Sequence, residues 1–217
     1  MAFYRDRADA GNRLGRRVAR LGLQSPVVLG IPRGGVLVAG GVAAAVGGDL
    51  DVLVSRKVGT PGHEELGVGA VVEGLEEPVV SAVGRRLGVV PADLRRLAER
   101  SRAEMAREMA LYRRGRPFPT LAGREVVVVD DGLATGVTAE AALLAVRRHR
   151  PRRLLLAVPV GDRQTARRLG QLADQVVCES SPANFVAVGQ WYDDFSPTTD
   201  AEVLALLDRP SGHRATA

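Results

Sequence analysis

The stretch VVVVDDGLATGVTA, Val126–Ala139, decides the reading of this chain. Four consecutive valines form an apolar run of the kind that makes a strand buried on both faces. Two adjacent carboxylates, Asp130 and Asp131, end the run, and a loop rich in glycine and threonine then opens a helix. In an open α/β sheet, ligands sit beyond the carboxyl ends of the strands, where this acid pair stands. The amides of Ala134, Thr135, Gly136, Val137 and Thr138 are expected to converge at the helix N-terminus. Unpaired N–H groups and the positive end of the helix dipole favour an anion there. Thr135 and Thr138 add hydroxyl donors, and Gly132 and Gly136 permit tight turns. Two negative charges beside such a cradle would repel a bare phosphate. A carboxylate only accepts hydrogen bonds, however, and a pair of them suits a vicinal diol. A sugar phosphate meets both demands, with phosphate in the loop and hydroxyls on Asp130 and Asp131. The stretch has no lysine, so it is not the phosphate loop of the GxxxxGK[ST] type, and GxGxxG is also missing.

Outward from this stretch, short apolar runs alternate with helical segments. Leu14, Val18 and Leu21 give helical spacing over 6–22, and 25–31 reads as a strand. An Ala-rich helix follows over 36–46, then a strand over 49–57, a loop over 58–69 and a hairpin from 70–74 and 78–83. Residues 91–117 read as one long helix, with Leu94, Leu97, Met105, Met109 and Tyr112 along one side. After the strand 125–129, the loop 130–138 and a helix to about Arg150 come a strand over 152–160, a helix over 162–173 and a strand over 175–179. The alternation implies an α/β fold, a doubly wound, mostly parallel sheet.

At 217 residues and 46% hydrophobic, the chain suffices for one domain with a substantial core. No run of 18 apolar residues suggests a membrane span, and MAFYRDRADAGNRLGRR lacks the apolar segment of a secretory signal, so a cytoplasmic protein is expected. The single cysteine, Cys178, rules out a disulfide framework and reads as core packing in QVVCE. A net charge of +5 favours anionic ligands. The basic residues are spread along the chain, so nucleic acid is not an expected partner. Of the 30 basic residues all but one are arginine, and the exception, Lys57, suggests a site that needs a compact ammonium.

The string VVVVDDGLATGVT resembles the phosphoribosyl-diphosphate binding motif of type I phosphoribosyltransferases. The resemblance implies that Asp130 and Asp131 hold the ribose hydroxyls and that Ala134–Thr138 hold the 5-phosphate. Two weaker matches occur in the family's order, and the resemblance covers roughly residues 25–180. GIPRGG, residues 30–35, is similar to the family's diphosphate loop. There Gly34 and Gly35 let amides face an anion and Arg33 adds charge-assisted donors; a cis or strained peptide is expected at Arg33–Gly34. SRKVGTPGHEELGVG is similar to the mobile loop that closes over the diphosphate. Arg56 and Lys57 match its start and are the expected catalytic pair, with His63, Glu64 and Glu65 as weaker candidates on the loop. Ala134 stands where 6-oxopurine enzymes of the family carry an acid, which argues against hypoxanthine or guanine as acceptor.

The family covers its acceptor with a variable hood, here assigned to residues 1–24 and 181–208 around a core of 25–180. Four of the eight aromatic residues fall in NFVAVGQWYDDF. Trp191, Tyr192 and Phe195 are candidate acceptor-stacking residues, or else plug a small subdomain, and Phe185 reads as core. The activity implied is transfer of a phosphoribosyl group from phosphoribosyl diphosphate to a nitrogen acceptor. Magnesium is expected near Asp130 and Asp131, held through substrate and water rather than by protein ligands, and a homodimer is expected. A non-catalytic sensor of phosphoribosyl diphosphate is the alternative. An amidotransferase would need a nucleophilic cysteine in a second domain, which one Cys178 does not provide.

Overall fold

Five parallel strands in the order β2-β1-β6-β7-β8 form the main sheet: β1 (Val27–Gly30), β2 (Asp49–Val52), β6 (Glu125–Val129), β7 (Arg153–Val160) and β8 (Gln175–Ser180). A computed structural model describes residues 3–60 and 67–209. The expected doubly wound α/β architecture is present. Strands β6 and β7 are apolar and buried almost throughout, as central strands covered on both faces must be. One face of the sheet is covered by α1 (Arg7–Ala19) and α2 (Gly34–Val46), whose Leu14, Val18, Val38 and Val42 pack with Val28, Val127 and Leu155. On the other face α6 (Val137–Arg148) buries Ala142, Leu143 and Val146 against Val126, Val128 and Leu156.

The expected single strand over 49–57 is in fact two. The chain leaves the main sheet after Val52, and β3 (Ser55–Val58) joins a separate antiparallel sheet with β4 (Gly69–Val72) and β5 (Val79–Val80). Pairing with β1 runs as far as the Leu53 amide on the Gly30 carbonyl at 3.0 Å and ends there, because the next donor on β1's side would be Pro32, which has no N–H. Arg113 donates Nη2 to the Val52 carbonyl at 2.7 Å, Nη1 to Asp51 Oδ1 at 3.0 Å and Nε to Glu73. Arg113 thus ties down the outer edge of β2, the side turned away from β1. Strands β4 and β5 are the expected hairpin.

The helix expected over 91–117 forms after the short α3 (Ala82–Arg86), as α4 (Pro91–Leu97) and α5 (Glu99–Arg113). The two meet at Ala98, whose φ of −80° and ψ of −10° slacken the helix. The Ala98 amide still reaches the Leu94 carbonyl and Arg102 reaches Ala98, so the axis is barely interrupted. The segment stops at Arg113 because Arg114 is left-handed, with φ 47°. Its apolar side falls as expected: Leu94 and Leu97 pack on the second sheet, and Met109 and Tyr112 on Val52 and Val54. The chain closes with α7 (Arg163–Leu169), a short 3-10 turn (Val188–Trp191) and α8 (Asp200–Leu207). None of the helices is long and apolar enough to cross a membrane, among the described residues. Cys178 is half-buried and packs against the larger core cluster, as expected.

Candidate active site

Asp130 and Asp131 follow directly on β6 and stand half-buried at the carboxyl edge of the main sheet. Asp130 Oδ1 accepts the Asp131 amide at 2.9 Å, which fixes the first carboxylate against its own backbone. Asp131 Oδ2 accepts from Arg7 Nε at 2.8 Å. Burial, and then the charge of Asp131, pushes the Asp130 carboxyl well above the ordinary carboxylate range. Burial also raises Asp131, against the hydrogen bond and the charge of Arg7. Two desolvated carboxylates this close are costly unless something binds them, and such groups cluster at functional sites.

Two helices begin beside this pair, and neither is capped by a side chain. Gly136 occupies the N-cap of α6 with φ 70° and ψ 16°, and Arg33 occupies that of α2. By contrast α1, α3, α7 and α8 carry side-chain caps from Asp6, Ser81, Asp162 and Thr199. Helix α4 starts with Pro91, and α5 continues from α4. The two uncapped N-termini that open on strand ends are thus those following β1 and β6, the loops expected to hold diphosphate and 5-phosphate. Their first amides have no intrahelical acceptor. A glycine is required where the loops meet: a Cβ on Gly34 would lie 2.0 Å from Asp131 Oδ2, and one on Gly35 2.8 Å from the Val129 carbonyl. Ala134 and Thr135 are exposed, Thr138 half-buried, and Gly136 and Val137 buried. Arg168 holds the loop from behind, donating Nη2 to the Thr135 carbonyl at 2.8 Å.

The remaining expected residues divide. Lys57 lies on β3 with its stem beside Gly67, whose Cβ would meet Lys57 Cδ at 2.8 Å and Val137 Cγ2 at 3.2 Å. Lys57 is therefore brought to the start of α6. Arg56, its neighbour on the strand, points to the other face, where Nη2 meets Glu104 at 3.0 Å and Glu108 at 3.5 Å. The two are not on one side of the sheet. Burial raises the Glu108 carboxyl despite the Arg56 charge. Arg33 reaches toward α8, 3.8 Å from Asp200 Oδ1. The cis peptide lies at Pro32–Arg33, one bond before the expected Arg33–Gly34. The later bond already belongs to the first turn of α2, whose hydrogen bonding needs trans peptides. His63, Glu64 and Glu65 lie outside the described residues.

The tail aromatics gather into a cluster with Tyr4, Ala10, Val160 and Phe185. Tyr192 is buried between Tyr4 and Phe195, at ring separations of 5.4 Å and 5.0 Å, and donates its hydroxyl to the Asp131 carbonyl at 2.6 Å. Trp191 is half-buried and its Nε1 has no acceptor among the described residues. The Phe195 ring carries the Arg7 guanidinium 3.9 Å above its centre. Arg7, one arginine among many on an arginine-rich helix, carries no local signal of its role. Helix α8 was not among the expected elements, although Thr199 and Glu202 form a capping box that the sequence displays.

Residues 6–195 match the model of a family described as phosphoribosyl transferase domain. Two curated relatives from Mycobacterium tuberculosis are each 44% identical over 209 residues, covering 96% of this chain. They are named "Putative phosphoribosyl transferase MT0597" (strain CDC 1551 / Oshkosh) and "Putative phosphoribosyl transferase Rv0571c" (strain ATCC 25618 / H37Rv). The chain spans about half the length of these relatives, 47%. The crystal structure of TT1426 from Thermus thermophilus is similar over 95% of this chain and 98% of that one, with TM-score 0.80 and 47% identity.

Proposed function

The chain belongs to the phosphoribosyl transferase domain family, and from that premise we propose that it transfers a 5-phosphoribosyl group from phosphoribosyl diphosphate to a nitrogen acceptor. The observation that carries the proposal is the meeting of two uncapped helix N-termini at one pair of adjacent carboxylates. In this reading the amides of Ala134–Thr138 bind the 5-phosphate, and Asp130 and Asp131 accept the ribose hydroxyls. Gly34 and Gly35, with the Arg33 guanidinium, face the diphosphate. The nitrogen lone pair attacks C1 of the ribose, the C1–O bond breaks, its electron pair leaves with diphosphate, and the nitrogen's proton passes to water.

As that bond breaks, positive charge grows on the sugar and negative charge on the leaving group. In this reading Lys57 and the α2 amides stabilise the leaving group. Asp130 and Asp131 orient the sugar and favour its positive charge. Among the described residues no group of three His, Cys, Asp or Glu could hold a metal. A magnesium ion would be carried mostly by substrate oxygens and water near Asp130 and Asp131, as is usual for this ion. Bound there, magnesium would neutralise diphosphate charge. Burial raises both acids, so holding the pair charged is costly until a ligand's hydroxyls or a metal's charge meet it.

The test is diphosphate release from phosphoribosyl diphosphate with magnesium, across a panel of nucleobases and small amines. Acceptor-stimulated release that vanishes in Asp131→Asn supports the transferase. Tight donor binding without release under any acceptor would replace it with the sensor, and absence of binding would sink both.

A further inference from the structure

Arg7 is a buried arginine that the proposed reaction does not use, and its surroundings are specific. It sits at the first position of α1, just after the Asp6 cap, so its backbone is fixed by the helix start. Its Nε donates to Asp131 Oδ2 at 2.8 Å and its Nη1 to the Ser196 carbonyl at 2.8 Å. The guanidinium lies over the Phe195 ring, and a Cβ at Gly34 would come within 2.6 Å of Nε. The fork is therefore held by separate pieces of the fold: the β6 edge, the tail and the α2 start. Of the other acids near it, Asp130 is half-buried beside Asp131, and Asp194 and Glu202 are exposed. Asp131 is its ionic partner.

A guanidinium stacked on a ring and tied by Nη1 to the Ser196 carbonyl has little freedom left to lose, so its Nε holds Asp131 Oδ2 at a fixed place. With Oδ2 engaged by Arg7, Oδ1 keeps the greater capacity to accept from a ligand. Tyr192 and Phe195, on the same tail, press on the Asp131 carbonyl and on Arg7.

We infer that Arg7 is a positioning residue of the donor site, which turns Asp131 so that one oxygen faces the ribose hydroxyls. This rests on the reading of Asp130 and Asp131 as the ribose-binding pair. The Arg7–Asp131 bond makes the N-terminal helix and the tail part of the sugar site, although neither touches the sugar itself. A lysine in place of Arg7 keeps the charge but loses the fork and the stacking, so it restores the orientation only in part.

The experiment measures binding of ribose 5-phosphate and KM for phosphoribosyl diphosphate in wild type, Arg7→Met, Arg7→Lys, Asp131→Asn and the Arg7→Met/Asp131→Asn double variant. Arg7→Met is expected to weaken ribose 5-phosphate about 10- to 100-fold, the range for loss of a hydrogen bond to a charged group. KM should rise with it while kcat changes little. Arg7→Lys should recover part of the loss, and Arg7→Met should add nothing once Asp131 is already Asn. A fall in melting temperature with unaltered affinity in Arg7→Met would mean that Arg7 only ties the tail down, and would overturn the inference. Should Arg7→Met fail to fold, Arg7→Lys decides it: equal affinity to wild type, despite the lost fork, overturns it too. Wild-type protein that binds neither ribose 5-phosphate nor donor would overturn the donor-site reading together with this inference.

Discussion

Gly34→Ala tests the contact on which the site depends. The added Cβ would stand 2.0 Å from Asp131 Oδ2, 2.8 Å from Asp131 Cγ and 2.6 Å from Arg7 Nε, whereas ordinary contact begins at 3.4 Å. Asp131 would have to retreat by roughly 1.4 Å, or α2 would have to lift, to restore normal packing. Retreat of that size stretches the Arg7–Asp131 bond past hydrogen-bond length. Overpacking of this kind costs about 1–3 kcal/mol, and at about 2–4 °C per kcal/mol for a chain of this size the melting temperature falls by some 2–12 °C. Misplacement by ~1 Å at a reacting centre costs about 10²-fold, so donor turnover should fall by that factor. Gly47→Ala is the control. Its φ is 61° and nothing lies within 4 Å of the new Cβ, so it costs about 1–2 kcal/mol through backbone strain alone and leaves the site intact. Calorimetry and ribose 5-phosphate titration of both variants decide the matter. Gly34→Ala with wild-type affinity would refute the proposed packing of α2 against Asp131.

Asp130→Asn removes a carboxyl whose midpoint burial and the Asp131 charge hold above its unfolded value. Folding therefore favours the protonated form, and this group's stabilising contribution is full below about pH 3.9 and lost as pH rises through the raised midpoint. The variant should melt above wild type at neutral pH and converge with it in acid, while losing ribose 5-phosphate affinity; parallel melting curves across that range would contradict the assignment. Lys57→Ala should cut kcat for diphosphate release about 10²–10³-fold, read by steady-state kinetics; a wild-type kcat would contradict its role at the leaving group. Arg113→Met strands Glu73 and Asp51 and should cost about 3–5 kcal/mol in urea unfolding, because a buried charge is left without its partner.

The strand, the acid pair and the loop of residues 126–138 were legible in the sequence because each rests on local rules: an apolar run, acceptor groups at a strand end, and glycine where a helix opens. The long helix was legible in its apolar side but not in its end, which the left-handed Arg114 sets. The split of the second strand was not legible, since it depends on which residue of β1 stands opposite its end: Pro32, with no amide to donate, falls there only once the Gly30–Val52 register is set. Arg7 was hidden for a related reason. Nothing in an arginine-rich segment distinguishes the one guanidinium that meets Asp131 across 124 positions. The opposed directions of Arg56 and Lys57 follow from strand alternation, a local rule that becomes informative only once β3 has a defined partner on each face. Pairing at a distance, rather than local propensity, separates what the sequence discloses from what only the fold reveals.

The central claim is that one edge of the sheet binds phosphate and sugar hydroxyls together. The direct measurement is a titration of ribose 5-phosphate followed by amide resonances, residue by residue. Saturable shifts concentrated on Ala134–Thr138 and on Asp130 and Asp131, absent with inorganic phosphate at the two acids, are the expected result. Shifts elsewhere, or none at millimolar ligand, would contradict the account.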